Sequence, residues 1–154
     1  MEKSTLLVNY GIKCEIDVSE NESPKWAELS EGFDNIAEAL NEVVQQYFFL
    51  SNKGYAENFV TGQAPAYTFT GYRVLGDAVQ EFIFSKKYKL LKARNTQLKL
   101  TRVNADETTT TVVTCNCTFC NMQEYGGAST DGSAISVELR VNGCPEVSQG
   151  TVEE

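Results

Sequence analysis

Residues 112–120, VVTCNCTFC, place three of the chain's five cysteines within six positions. The reading of this stretch decides the fold, because cysteines at such density belong either to a metal or redox centre or to the alternation of a strand. Laid on a strand, Val113, Cys115, Cys117 and Phe119 share one face, and Val112, Thr114, Asn116, Thr118 and Cys120 share the other. Three thiolates split between two faces cannot converge on one tetrahedral ion. The C-x-C-x2-C spacing has no second C-x2-C, and the chain contains no histidine to complete four ligands. Cys14 or Cys144 could supply a fourth only through a chance approach. The stretch also lacks the strand-to-helix context that activates a thiol. Cys115 and Cys117 therefore read as small hydrophobes on the core face of a strand, and no metal or cofactor is expected.

The flanking sequence has the same period. In IKCEIDV (12–18), Ile12, Cys14, Ile16 and Val18 alternate with Lys13, Glu15 and Asp17; in ISVELRV (135–141), Ile135, Val137, Leu139 and Val141 alternate with Ser136, Glu138 and Arg140. Both predict half-buried antiparallel strands. AYTFTGYRV (66–74), TQLKLTRV (96–103) and TTTTVVTCNCTF (108–119) are β-prone, and NADET (104–108) joins the last two as a hairpin. QEYGGASTDGSA (123–134) is a Gly-rich connection; VNGCPE (141–146) is expected to end the last strand and 148–154 to form a flexible tail. One helix is predicted, in GDAVQEFIF (76–84): Asp77 is the N-cap, Gln80 completes a weak capping box, and Val79, Phe82 and Ile83 form its apolar stripe.

Residues 32–62 are ambiguous. Propensity alone makes 36–47 helical, yet VVQQYFFL (43–50) suits a strand equally well. Tyr47, Phe48, Phe49, Tyr55 and Phe59 are too many aromatics for a solvated loop, so the segment either closes the domain's own core or packs on a neighbouring subunit.

Composition narrows the function. At 154 residues one domain is expected. The absence of histidine removes Ser-His and Cys-His nucleophile pairs, and no carboxylate pair or phosphate-binding glycine loop stands out, so no catalytic residue is expected. No apolar run has the length of a membrane span, and MEKSTLLVNYG does not read as a signal peptide, so cytoplasmic synthesis is expected. Asn21-Glu22-Ser23 and Asn116-Cys117-Thr118 are then chance matches to a glycosylation pattern. The net charge of −8 hides a division: residues 15–42 carry nine acidic residues and one basic, and residues 82–105 carry seven basic and none acidic. Two solvated faces would explain this. So would complementary patches on successive copies, which would meet head-to-tail if they lay at opposite ends of the subunit.

The stretch YFFLSNKGYAENFVTGQAPAYTFTGYRVLGDAVQEFIFSKKYKL (47–90) resembles the major tail protein, or tail tube protein, of long-tailed, non-contractile bacteriophages of Gram-positive hosts. The carriers are VTGQ before a strand, GYR leading into GDAVQEFIF, and the basic segment after it. EYGGASTDGSAISVELRVNGCPE and WAELSEGFDNIAEALNE fit the same family, so the resemblance spans roughly residues 8–147. It implies a mainly β domain over 1–147, a β-sandwich or barrel with one flanking α-helix. It also implies hexameric rings stacked into a tail tube through which phage DNA is ejected. Other partners implied are a tape-measure protein and tail terminator and initiator proteins; the location implied is the virion, with no membrane. The segment at about 34–60 becomes an extended arm, with at most a short helical turn, reaching a neighbouring subunit or ring. Candidate interface residues are the aromatics Tyr47, Phe48, Phe49, Tyr55 and Phe59, the basic Lys86, Lys87, Lys89, Lys92 and Arg94, and the acidic Glu20, Glu22, Glu28 and Glu31. An acidic lumen would let the duplex slide by repulsion. The alternatives are the tube of a contractile tail or phage-derived bacteriocin, a monomeric β-sandwich binding module, and a zinc- or thiol-dependent domain.

Overall fold

The computed structural model describes residues 4–20 and 23–152. Nine strands and one helix follow in order: β1 (Lys13–Asp17), β2 (Trp26–Glu28), β3 (Phe33–Ala39), β4 (Val43–Tyr47), β5 (Glu57–Gly62), β6 (Ala66–Tyr72), α1 (Ala78–Ser85), β7 (Asn95–Val103), β8 (Thr109–Gln123) and β9 (Ala134–Thr151). Seven of them form one antiparallel sheet, ordered β2-β1-β7-β8-β9-β6-β3. It curls into a half-barrel with α1 over its concave face, a mainly β architecture with one flanking helix as expected. The strands β4 and β5 pair only with each other.

Strand alternation decides what the concave face buries. Cys14 and Ile16, Leu98, Cys115, Cys117 and Phe119, Ile135, Val137 and Leu139, and Tyr67 and Phe69 all point inward. From above, α1 adds Val79, Ile83 and Phe84, and Phe82 meets the Phe119 ring edge-on at 6.4 Å. The cysteine stretch is thus strand: Cys115 and Cys117 lie side by side in the core, sulfurs 3.5 Å apart, and Cys120 faces the other way.

One feature of α1 differs from the expectation. Asp77 is its N-cap, accepting from the Gln80 N–H at 3.1 Å. Gln80, however, does not turn back to close a capping box. Its side chain is fully buried, and Glu81 reaches back instead, accepting from the Gly76 N–H at 3.1 Å.

The last strand also runs further than its sequence suggests. Asn142 faces Asn116 and Glu146 faces Thr114, so residues 143–145 bulge opposite one partner residue. Gly143 takes φ +78° there, and Pro145, which has no N–H to give, sits in the bulge where none is required. Pairing then resumes from Val147 against Val113 to Thr151 against Thr109. Residues 148–151 are strand rather than loose tail; 153–154 lie outside the described residues.

The ambiguous segment is neither helix nor one continuous arm. Residues 33–39 join the main sheet as its edge, with Ile36 opposite Phe69. Burial of Ile36 and Phe33 against the core outweighs the local helical preference. What stands apart is the hairpin of β4 and β5. Its base is pinched where the Ala64 N–H donates to the Leu40 carbonyl at 2.9 Å.

Candidate assembly surfaces

The hairpin exposes what a lone domain would bury. Tyr47 and Phe49 stack at 5.6 Å between ring centroids, and Phe59 meets Tyr47 edge-on at 6.0 Å. On the opposite face Val44 pairs with Val60, and Gln46 with Asn58. All of β4 is exposed, and at the tip Phe48 is 65% and Leu50 98% accessible. The turn is held by a 3-10 turn over Leu50–Asn52, then Lys53 and Gly54 at φ +50° and +93°. An isolated two-stranded ribbon is marginally stable in water. A ribbon that exposes an aromatic cluster on one face and a valine pair on the other gains stability when something covers it.

The second surface follows α1. Lys86 reaches Glu20 at 3.4 Å, and Lys87 reaches Glu124 at 2.7 Å. Arg94 is the organiser of this loop. Its guanidinium donates to the backbone carbonyls of Lys87, of Lys89 at 2.8 Å and of Phe119 on β8 at 3.1 Å. Around that clamp Tyr88, Leu90 and Leu91 are 87%, 78% and 87% exposed. Leu91 sits at φ +57°, a left-handed conformation that costs a residue with a Cβ about 1–2 kcal/mol. The ammonium groups of Lys89 and Lys92 have no partner among the described residues.

These positions bear on the charge division. Glu20 and Lys86 form an ion pair within one chain, and Lys99 lies 4.0 Å from Glu15 and over the Trp26 ring. The acidic and basic stretches therefore meet within one chain at two points instead of lying wholly at opposite ends. The reason is topological: β1 pairs with β7, which brings the segments flanking each strand together. Glu31 is tied in through its backbone carbonyl, which accepts from Gln80 at 3.0 Å. Glu28 is exposed at the sheet edge, opposite Glu15. Glu22 lies outside the described residues.

Two polar clusters went unread in the sequence. Arg73 has its side chain 7% exposed, packs over the Phe84 ring, and pairs with Glu124 at 2.9 Å and Glu81 at 3.1 Å. The hydrogen bond from Lys87, reinforced by Arg73, draws the Glu124 carboxyl below the ordinary carboxylate range. Gln80 is the other hub. Its side-chain oxygen accepts from the Val74 N–H at 2.8 Å and from Arg73 at 3.2 Å, and its amide donates to the carbonyls of Glu31 and Tyr72, both at 3.0 Å. The only sequence signal for either was a glutamine inside an apolar helix face.

Among the described residues no group of His, Cys, Asp or Glu is placed to hold a metal ion. Two adjoining clefts of about 370 and 410 Å³ follow the open seam of the half-barrel, sharing Asn9, Ile12 and Ile36. The ionisable lining of the first is Glu38, Tyr67 and Arg102. Burial, then the Glu38 carboxylate, pushes the Tyr67 hydroxyl up, away from acid–base use near neutrality. Burial, with the Glu28 carboxylate adding to it, pushes the Cys14 thiol up to about 11, and contact with Cys115 together with burial raises Cys117. The same contact with Cys117 draws Cys115 down, so what protects Cys115 is its burial under the helix and sheet. Among the described residues no helix is long and apolar enough to cross a membrane. Treatment of the native protein with a small maleimide is expected to modify exposed Cys144 first and Cys120 more slowly. Cys14, Cys115 and Cys117 should react only after unfolding. Peptide mass spectrometry checks this, and modification of Cys117 as fast as Cys144 would contradict the core assignment.

No protein-family model matches the sequence, and no curated protein matches it. Solved structures do. The tail of an empty gene transfer agent particle, determined with C6 symmetry, superposes with TM-score 0.70 at 10% identity, covering 93% of this chain and 99% of that one. The SPP1 tail tube gives TM-score 0.69 at 13% identity, over 97% of this chain and 81% of that one. The sheath–tube complex of an extracellular contractile injection system gives 0.59 at 11% identity, over 96% and 93%. The antiparallel half-barrel with its single helix and bare hairpin is thus a tail tube-like fold.

Proposed function

We propose that this chain is a structural tube subunit, assembling as hexameric rings that stack into the tail tube of a phage-like particle. The observation that carries the reading is the β4–β5 hairpin, with exposed apolar side chains on both faces and no cover among the described residues, on a fold similar from end to end to tube subunits. The tube reading gives the hairpin the role expected of the arm: it reaches a neighbouring subunit or ring. Catalysis has no part in it. The resemblance of residues 47–90 favours a non-contractile tail and a phage of a Gram-positive host. The match to a contractile injection system tube keeps a sheathed particle as the second reading, and a sheath gene beside this one would favour it.

The core fills the concave face, so the convex face of the sheet is the one free to line a lumen. It carries Thr68 opposite Glu138, Thr70 opposite Ser136, and Thr118 opposite Arg140. Gln97 donates to Asn116 at 3.0 Å across the next pair of strands. Arg140 is neutralised by its contact with Glu138. Further along the same face Lys13 and Lys99 both lie against Glu15, at 3.9 and 4.0 Å. The face is polar and mixed in sign, and a duplex would pass it because each of these cations has a carboxylate beside it to compete with the phosphates. Before ejection the tape-measure protein would occupy the same lumen, and terminator and initiator proteins would bound the stack.

Replacing residues 42–62 with a two-residue turn tests the arm. The pinch at Leu40 and Ala64 lies outside the deletion, so the half-barrel is expected to keep its circular dichroism spectrum and its cooperative unfolding while losing the ability to form tubes. A deletion variant that forms long tubes would remove the hairpin from the assembly.

A further inference from the structure

We infer that the loop of residues 88–92 is a preorganised docking surface for the β4–β5 hairpin of a second copy of this chain, with Leu90 and Leu91 as its apolar centre. The inference rests on the tube reading and names the receptor that reading leaves open.

A loop that carries two leucines and a tyrosine into water would ordinarily be free to collapse onto the protein. This one is held. The Arg94 guanidinium bonds the carbonyls of Lys87 and Lys89 on one side and Phe119 on the other, which fixes the loop to β8. Leu91 is kept in a left-handed conformation unfavourable for any side chain. The strain and the exposure bring the isolated domain no contact. Both are accounted for if the loop is shaped in advance for a partner, since a rigid surface loses little freedom on binding.

The occupant follows from the rest of the chain. The hairpin tip presents the matching apolar surface in Phe48 and Leu50, equally uncovered. The two features are diagonally opposed across the long β8–β9 ribbon. The hairpin joins the sheet where Ala39 and Ala66 lie level with Arg140, on the β6 side, and beside residues that follow Arg140. The loop lies on the β7 side against the other half of β8, where Lys87 bonds Glu124. Copies related by a head-to-tail repeat can bring one against the other. Charge agrees: Lys89 and Lys92 rim the loop, and the hairpin carries Glu42 and Glu57 against the single cation Lys53.

The test uses the full chain with Cys120 and Cys144 replaced by serine, and two further single variants in that background, Leu91→Cys and Phe48→Cys, mixed and assembled. A short bismaleimide is expected to link the two variants in the pelleted tube fraction, only when both are present. Separately, Leu91→Gly removes the side chain and relieves the backbone. It is expected to leave the monomer's unfolding midpoint unchanged or raised, yet to increase the concentration needed for assembly at least tenfold. Tubes that form from Leu91→Gly as readily as from the parent, with no mixed cross-link, would overturn the loop as receptor while leaving the tube reading intact. A parent chain that forms no tubes at any concentration would overturn both.

Discussion

Gly71→Ala is expected to destabilise the domain by more than about 3 kcal/mol, the upper range for forcing atoms into a packed site. Gly71 lies on β6 where the edge strand β3 crosses its backbone. A Cβ at this position would come within 1.9 Å of the Gly32 carbonyl oxygen and 2.7 Å of the Phe33 Cα. Both obstacles are backbone, so no rotamer change relieves them. Moving them breaks the bond from the Tyr72 N–H to that same carbonyl, 2.7 Å long, and the β3–β6 register with it. Gly32 sits at φ +85°, and a shift of its backbone away from the new Cβ would carry Phe33 out of its place opposite Gly71. The control is Gly11→Ala, where nothing lies within 4 Å of the added atom; it is expected to change stability by no more than about 0.5 kcal/mol. Urea unfolding of the two variants beside the parent measures the difference. Equal midpoints would mean that the close approach of β3 to β6 is wrong.

The second large effect is expected at Gln80. Leucine there conserves volume approximately but leaves the Val74 N–H and the Glu31 and Tyr72 carbonyls without their buried partner. Each orphaned group costs about 1–3 kcal/mol, so the three together are expected to cost at least about 3 kcal/mol. Gln80→Glu keeps an acceptor for Val74 but turns a carboxylate oxygen toward two carbonyls, and should be no better tolerated. These bonds join α1 to the end of β6 and to the β2–β3 connection. The unfolding of either variant should therefore show α1 released first, seen as faster hydrogen exchange at residues 78–85. Uniform exchange across the domain would show that Gln80 is not what holds the helix down.

Much of this architecture could be read from alternation alone. Cys14 and Ile16, Cys115 and Cys117, and Ile135, Val137 and Leu139 each repeat at period two, and each set is buried together. The Asp77 cap was equally legible, because it depends on residues adjacent in sequence. What could not be read depends on partners distant in sequence. Residues 36–47 are helix-prone by composition, yet 36–39 extend because β6 offers an unpaired edge and the core takes Ile36, and 43–47 extend by pairing with β5. The Asn-Gly-Cys-Pro of residues 142–145 looks like a terminus, and it becomes a bulge because β8 continues beyond it. Gln80 looked like part of a cap because its four bonding partners lie on three other segments. Of the candidate assembly residues, the hairpin aromatics were visible as excess apolarity. Leu90 and Leu91 were not, because two leucines among lysines carry no signal until the loop is seen to hold them in water. Arg94, read as one charge among several, is instead the clamp inside that loop.

The most direct test of the account is negative-stain electron microscopy of the purified chain over a rising concentration series. The account predicts stacked rings lengthening into hollow tubes, with sixfold end views. Monomers at every concentration, with no rings, would contradict it.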